Sequence, residues 1–328
     1  MPAPIKFQST DWTFYHATQR CRKGYAFLKP IAEVTSLFLG VLEYSREAHR
    51  DTILVHNLVV MSNHYHLLVS AKTPEDLGDF MQLLNGNVAR EINRVWDEEG
   101  SMWGGRRYRS HSVLDEGAIE DAYTYVFANT FKERLVEHPR DWPGFHGFQV
   151  LGEGKEVEGV WYRRTEFDRK RRLKSGKDLT LDQFKTVYKV RFDRPLIWDD
   201  LGGDVFKEKM HMLMDRVFEE WGAGEDESFL GAEGVLGQEV YKRRRPKAGK
   251  QPLCRARCVE IWRQFRDAYR VFKVEYQEAN RALGEALRWG RPIESIQFPT
   301  GGILPGAYRH LKGSVCSDES VYAHGVPT

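Results

Sequence analysis

The spacing of apolar residues predicts regular elements through the first half of the chain. Short runs rich in apolar and aromatic residues predict strands over residues 12–20, 53–61, 64–70 and 108–114. Helical spacing predicts helices over about 30–48, from Thr73-Pro74 to about 95, and over about 117–137. This order of elements predicts an α+β fold, with a ferredoxin-like antiparallel sheet and helices packed on one face.

The second half shows a weaker pattern. Helical spacing predicts helices over 204–221 and 255–288, and the stretch 222–254 between them, which is rich in Gly and basic residues, suggests a loop. Gly152, Gly154 and Gly159 suggest a linker. We therefore predict two domains, residues 1–150 and a mainly helical, basic accessory region over 151–328.

Charge is unevenly distributed, although the net charge is only +2. Residues 241–257 hold eight Lys or Arg and no acidic residue, and 161–177 is nearly as basic. Such runs favour a polyanionic partner, or are simply solvated surface. Four irregularly spaced cysteines predict neither a disulfide framework nor a zinc ribbon. Without a signal peptide or an apolar run of membrane-spanning length, we expect a cytoplasmic protein.

His64 and His66 are two residues apart in a predicted strand. Side chains of a strand alternate between its faces, so both imidazoles are expected to point the same way. Such a pair can hold a divalent metal ion at a phosphodiester bond. Two histidines on one strand are also common as packed or surface residues, so the pair alone leaves both interpretations open.

The predicted helix over 117–137 carries Tyr125 and Asn129 four residues apart, and therefore on one face. A phenol can attack phosphorus when a metal ion polarises the phosphate, and an amide oxygen one turn away can be a third metal ligand. Tyr123 is expected to point nearly opposite and to pack. By pattern alone, Tyr125 and Asn129 are also explained as ordinary surface or core residues.

Three segments together resemble a known family. MSNHYHLLV (61–69), MWGGRRYRSHSV (102–113) and TYVFANTFKERLVEHPRDWP (124–143) resemble, in order and spacing, the IS200-like Y1 transposases, which are HUH single-strand DNA endonucleases. The resemblance is strongest to their REP-associated branch (RAYT) and covers roughly residues 12–148. The chain departs from the family at Ser62 and Thr130, where the family often has Pro.

The resemblance implies a site and a reaction. It identifies His64 and His66 as the HUH metal ligands, Tyr125 as the nucleophile and Asn129 as a third ligand. It implies that Tyr125 attacks single-stranded DNA, keeps the 5′ phosphate as a phosphotyrosine and releases a 3′ hydroxyl. Mg²⁺ or Mn²⁺ is the implied cofactor, with no nucleotide cofactor, and single-stranded or hairpin DNA is the implied partner. A monomer and a homodimer both remain open.

The loop over 101–112 is the predicted DNA contact of the first domain. Its arginines are expected to contact phosphates and its aromatic side chains to stack on unpaired bases. A basic turn with two packed aromatic residues is the alternative. The predicted contact residues, including three arginines of the second half, are Trp103, Arg106, Arg107, Tyr108, Arg109, Arg243, Arg244 and Arg245.

Other activities fit the sequence less well. Histidine-triad hydrolases need a third histidine where this chain has Leu68, and two-histidine phosphoesterases need two His-x-Thr/Ser motifs, which the chain lacks. A domesticated protein that binds hairpin DNA without cutting it is the alternative from another class. Covalent adduct formation with a single-stranded oligonucleotide distinguishes that protein from a nuclease.

Overall fold

The computed structural model describes residues 7–104, 108–173, 179–221, 228–244, 252–305 and 308. In this part of the chain, a five-stranded sheet has the strand order β2-β3-β1-β4-β7. Its strands are β1 (Thr13–Arg20), β2 (Ile53–Met61), β3 (His64–Ala71), β4 (Arg109–Val113) and β7 (Cys254–Arg255). The first four pair antiparallel and β7 is parallel to β4. The predicted α+β class is confirmed, and the predicted strands agree with β1–β4 to within a few residues.

Helices cover both faces of the sheet. On one face lie α1 (Ala32–Ala48) and α2 (Pro74–Val95), whose first turn is capped by the Thr73 hydroxyl. On the other lies α3 (Glu116–Phe127), which packs against alternate residues of β1 and β3. The prediction of helices on one face is therefore wrong for α3. Because every residue of β3 is buried, the sheet needs cover on both sides.

The second half of the chain packs directly onto the first. It contains α5 (Phe148–Leu151), β5 (Glu158–Tyr162), α6 (Arg164–Arg172), β6 (Lys185–Lys189), α7 (Gly203–Trp221), α8 (Gly231–Leu236) and α9 (Val259–Trp289). The β5–β6 hairpin lies on α1, and α7 lies on α3. A Cβ atom on Gly40 of α1 would lie 2.1 Å from the backbone of Val160 in β5. The predicted linker therefore includes a tightly packed strand, and the predicted boundary near residue 150 does not separate two cores.

The long helix α9 packs against Phe7, the first described residue of the chain. The ring of Phe7 lies 5.4 Å from that of Phe265 and 4.7 Å from that of Phe272. The predicted helices over 204–221 and 255–288 agree with α7 and α9, whereas the predicted loop 222–254 also contains α8 and the first residue of β7. No described helix has the length and apolar character needed to cross a membrane.

Candidate active site

His64 and His66 lie on β3 and point to the face of the sheet that α3 covers. Their ring centroids are 5.0 Å apart at an angle of 76°, and both side chains are buried. The alternation of strand side chains places them together, as the spacing of two predicted. Burial lowers the pKa of His64 to about 3, with a further contribution from Arg20, and it lowers the pKa of His66 as well. Both imidazoles are therefore neutral near pH 7.

Hydrogen bonds determine which ring nitrogen of His64 carries a proton. The Nδ1 atom of His64 lies 2.7 Å from the Asn63 Oδ1 atom, an oxygen that can only accept. Nδ1–H is therefore the donor, and the lone pair lies on Nε2. The Nδ1 atom of His66 faces His16 Nε2 at 2.9 Å and Thr18 Oγ1 at 3.2 Å, so its Nε2 is also left for another partner.

Tyr125 lies on α3 directly over these histidines. Its ring centroid is 5.6 Å from that of His66 and 5.6 Å from that of His16. The phenol is half-buried, and burial followed by the carboxylate of Glu133 raises its pKa. It is therefore protonated at neutral pH. Tyr123, two residues earlier, is fully buried and donates to the backbone oxygen of His56, so it packs as predicted.

Asn129 lies where α3 ends. The predicted helix over 117–137 is interrupted at Ala128, and a short helix α4 (Asn129–Lys132) follows. The buried Asn129 donates through Nδ2 to the carbonyl oxygens of Tyr125 at 2.8 Å and Val126 at 3.3 Å. These bonds occupy the amide nitrogen and leave Oδ1 to act as an acceptor or ligand.

Two further histidines complete the floor of the site. His16 on β1 is directly opposite His111 on β4, and their rings are 5.1 Å apart. Sequence reasoning missed both residues. The signal lay in β1 itself, where Phe14, His16, Thr18 and Arg20 alternate and so face α3 together.

Basic side chains surround Tyr125. Lys132 Nζ lies 4.8 Å from the centre of the Tyr125 ring. Arg20 and Arg255 lie close enough to lower the pKa of the phenol, opposing the larger effects of burial and of Glu133. The site therefore combines a protonated phenol, neutral imidazoles and several cations, which suits an anionic ligand.

The donor atoms fit a divalent metal ion held by two imidazoles and one amide oxygen. The Nε2 lone pair of His64 and the Oδ1 atom of Asn129 are suitable nitrogen and oxygen ligands, and Nε2 of His66 joins them in the tautomer that carries its proton on Nδ1. Within the described residues, no group of three or more His, Cys, Asp or Glu is arranged to hold a metal ion. Water or a phosphate oxygen would have to provide the other ligands.

Among the predicted DNA-contact residues of the first domain, the aromatic side chains are packed against the protein and Arg109 is exposed. The ring of Trp103 packs against that of Tyr65, with 5.9 Å between the ring centroids, and its Nε1 donates to the backbone oxygen of Asn85 at 2.9 Å. Tyr108 also packs partly against the core under α1 and α2, so both aromatic residues fit the packed alternative. Arg109 is exposed on β4, whereas Arg106 and Arg107 lie outside the described residues.

The predicted basic contacts of the second half lie near the turn that follows β1. The backbone nitrogen of Arg244 donates to the Lys23 oxygen at 3.1 Å. A Cβ atom on Gly24, which has a φ of +71°, would lie 2.2 Å from the Arg244 oxygen, so this position needs glycine. Arg243 is exposed, and Arg245 lies outside the described residues.

Comparison with known proteins agrees with the resemblance found in the sequence. Residues 40–129 match a family model described as Transposase IS200 like, and this segment contains His64, His66, Tyr125 and Asn129. No curated protein matches the chain.

Two solved structures are similar to parts of the chain. One, from Deinococcus radiodurans R1 and described as a candidate transposase, is 20% identical and has a TM-score of 0.27; the match covers 35% of this chain and 88% of that one. The other is a REP-associated tyrosine transposase bound to a REP hairpin, 15% identical with a TM-score of 0.35; it covers 47% of this chain and 84% of that one.

Proposed function

We propose that the protein is a metal-dependent, single-stranded DNA endonuclease and transposase, on the premise that residues 40–129 match the model of the IS200-like transposase family. One observation carries the proposal. Tyr125 lies 5.6 Å, ring to ring, from His66, and His64 lies beside His66 on the same strand. A nucleophile and two neutral metal ligands on facing elements are what metal-assisted attack of a tyrosine on a phosphodiester requires.

The proposed reaction exchanges one ester for another. The Tyr125 oxygen attacks the scissile phosphorus, forming a bond to the 5′ phosphate and giving up its proton. The bond from phosphorus to the 3′ oxygen breaks, and that oxygen leaves as a hydroxyl after taking up a proton. The phosphotyrosine conserves the ester bond, so a 3′ hydroxyl can later reverse the step without a nucleotide cofactor.

The residues of the site have separate roles in this reaction. His64, His66 and the Oδ1 atom of Asn129 would hold Mg²⁺ or Mn²⁺, which when bound polarises the phosphate and stabilises charge on the leaving oxygen. The bonds from Asn129 to the helix carbonyls fix its amide one turn from the nucleophile. The ammonium of Lys132, over the phenol ring, favours the phenolate that forms during attack.

We propose hairpin or palindromic single-stranded DNA as the substrate. The supporting features are the cations around Tyr125, the exposed Arg109 and Arg243, and helix α6, which ends in Arg169, Lys170, Arg171 and Arg172 and buries none of its residues. Phosphate contacts of this kind bind without regard to sequence, so any preference for a hairpin would come from its shape or its unpaired bases. The REP-associated branch and the number of protomers remain predictions.

Covalent capture tests the proposed function. The full chain is mixed with labelled oligonucleotides, hairpin and unpaired, in Mn²⁺ or Mg²⁺, and the products are separated under denaturing conditions. We expect a DNA–protein adduct that chelation abolishes and added metal restores. Tight hairpin binding with no adduct at any metal concentration would instead support the domesticated hairpin-binding protein.

A further inference from the structure

The short strand β7 brings part of the second half to the candidate active site. Arg255 of β7 is in register with Val113 of β4, which in turn is opposite Phe14 of β1. Opposed residues on neighbouring strands point to the same face of a sheet. Val113 and Phe14 both pack with α3, so the Arg255 side chain leaves the sheet on the face of Tyr125.

The segment around β7 is held by contacts with β4 on one side and with α3 on the other. The Leu114 nitrogen donates to the Arg255 oxygen at 2.9 Å, next to the pairing with β4. The Arg257 guanidinium forms an ion pair with Asp121 of α3, with an Nε–Oδ2 distance of 2.9 Å. The Cys258 nitrogen donates at 2.9 Å to Asp115, the residue that caps α3. The position of Arg255 is therefore tied to the helix that carries the nucleophile.

Arg20 lies at the opposite end of the same row of side chains. It ends β1, in register with His64, and is half-buried. Phe14, the residue level with Arg255, and Arg20 are six residues apart, which in a strand is about 20 Å. Tyr125 lies between these ends, above His16 and His66.

Neither guanidinium is neutralised by a salt bridge within the described part of the chain. Glu133, the acidic side chain that acts on both Arg20 and Tyr125, is exposed and forms no salt bridge with Arg20. Partial burial of the Arg20 charge without an ion-pair partner is unfavourable unless an anion binds there, whereas Arg255 is exposed to solvent on the same face of the sheet. By contrast, the neighbouring Arg257 is already paired with Asp121.

We propose that Arg20 and Arg255 bind DNA phosphates on opposite sides of the one that Tyr125 attacks. The second half of the chain thus supplies part of the active site. A guanidinium suits this task because its planar donors match two phosphate oxygens. The inference rests on the proposed function and extends it to two residues that the family segment does not contain, since both lie outside residues 40–129.

Oligonucleotides with single neutral phosphates test the proposal. Arg20→Gln and Arg255→Gln proteins are compared with wild type, using a series in which one methylphosphonate at a time replaces a phosphate around the cleavage position. Each variant should form adduct about ten- to a hundredfold more slowly than wild type on unmodified DNA. Neutralising the phosphate that one arginine binds should slow adduct formation by wild type to a similar extent. The same methylphosphonate should cause no further loss of rate in the variant that lacks that arginine. The phosphates identified in this way should differ between Arg20 and Arg255.

Control variants separate phosphate binding from folding and from general charge. Arg288→Gln, at an exposed position near the end of α9, should react like wild type, and Arg255→Lys should recover part of the rate because the charge is kept. Thermal unfolding should match wild type in all variants. The proposal is overturned if both glutamine variants form adduct as fast as Arg288→Gln. It is also overturned if every methylphosphonate slows each glutamine variant by the same factor by which it slows wild type.

The same series separates this inference from the proposed function. Wild type that forms no adduct on any oligonucleotide would count against the nuclease itself. In that case the affinities of the series, measured without metal, still report the two phosphate contacts. Adduct formation by wild type with unchanged rates in both glutamine variants would remove only the role given to Arg20 and Arg255.

Discussion

Tyr123 and Tyr125 have different environments although they are only two positions apart on α3. Tyr123 is fully inside the core, and its hydroxyl donates to the His56 oxygen at 3.3 Å. Tyr125 is half-buried against His16 and His66, and its hydroxyl has no protein hydrogen bond among the described residues. The helical turn of about 100° per residue sends the two side chains to different surroundings.

Replacing each tyrosine with phenylalanine separates these roles. Tyr125→Phe removes only the attacking oxygen, so the protein should unfold at the wild-type temperature and form no covalent adduct. Tyr123→Phe should form adduct at the wild-type rate but lose about 1 kcal/mol of stability, because a buried hydrogen bond is lost. Adduct yield on denaturing gels and urea unfolding measure the two effects. Adduct from the Tyr125→Phe protein would contradict the assignment of the nucleophile.

Residues of the site were predictable wherever local spacing positions them. The period of two placed His64 and His66 together, and the period of four placed Tyr125 and Asn129 one turn apart, although α3 ends between them. Arg20 also lies within a local alternation, with His16. Arg255 could not be found in this way, because its position depends on pairing between strands 142 residues apart in sequence.

At the scale of elements, helix α1 and strand β5 are in unusually close contact. The backbone of Gly40 lies against that of Val160, and that of Gly159 lies against Leu39 and Gly40. Only residues without a Cβ atom allow this approach. The glycines that suggested a linker therefore include one that joins the second half to the first.

Substitution of glycine by alanine in two helices tests this contact. Gly40→Ala should destabilise the protein by about 1–3 kcal/mol, because the new methyl group would overlap Val160. Gly86→Ala in α2 is the matched control, since a Cβ there meets nothing within 4 Å and should stabilise by about 0.5–1 kcal/mol. Urea unfolding gives both values. If both substitutions instead stabilised the protein by the same amount, the β5–β6 hairpin would not pack on α1 in solution.

The elements with strong periodicity were predictable, and those that depend on their neighbours were not. The limits of α1, α2 and α7 follow from their apolar stripes, and the Thr73 cap marks the start of α2. The two-residue strand β7 has no pattern of its own and exists through pairing with β4. The position of α3 on the second face also depends on packing, although a continuous apolar run such as Leu67-Leu68-Val69 is typical of a strand buried on both sides.

At the scale of the whole molecule, the basic surface of the second half is expected to strengthen DNA binding. Arg243→Gln with Arg244→Gln removes two positive charges, so fewer ions should be released when single-stranded DNA binds. The slope of log affinity against log salt should become shallower by about 1.4 if both arginines contact phosphates. Fluorescence titration at several salt concentrations measures this slope.

Two exposed arginines on α9 provide the control for this prediction. The Arg281→Gln, Arg288→Gln protein loses the same charge from another surface. At saturating DNA, adduct formation by the Arg243, Arg244 variant should persist, since neither residue touches Tyr125 or its histidines. An unchanged salt slope with a shift in oligomeric mass would instead favour a role of the second half in protein assembly.

Buried neutral histidines should make the stability of the molecule depend on pH. Burial lowers the pKa of both His56 and His146 from 6.5 to about 4. The unfolded chain therefore takes up protons below pH 6.5 that the folded chain does not, and stability falls as the pH drops from 6.5 toward 4. At pH 5.5 each residue should lower the free energy of unfolding by about 1.4 kcal/mol.

His146→Gln tests the size of this effect at one residue. The His146 side chain donates through Nε2 to the Phe127 oxygen at 3.1 Å, a bond that a glutamine amide can replace. The stability lost between pH 7 and pH 5.5 should be smaller in this variant by about 1.2 kcal/mol, because about 0.2 kcal/mol of the effect is already present at pH 7. Urea unfolding at the two pH values, without divalent metal, provides the measurement. An identical loss in variant and wild type would exclude His146 as a titrating group.

The parallel pairing of β7 with β4 has a consequence for how the protein is made. A ribosome reaches β7 about 140 residues after it completes β4, which takes roughly 7–30 s at ordinary rates of synthesis. During that interval the outer edge of β4 has no strand beside it and is open to pairing with a neighbouring nascent chain. Fragments that end before residue 254 are therefore expected to aggregate more readily than chains that include β7, because the segment that protects this edge is synthesised long after β4.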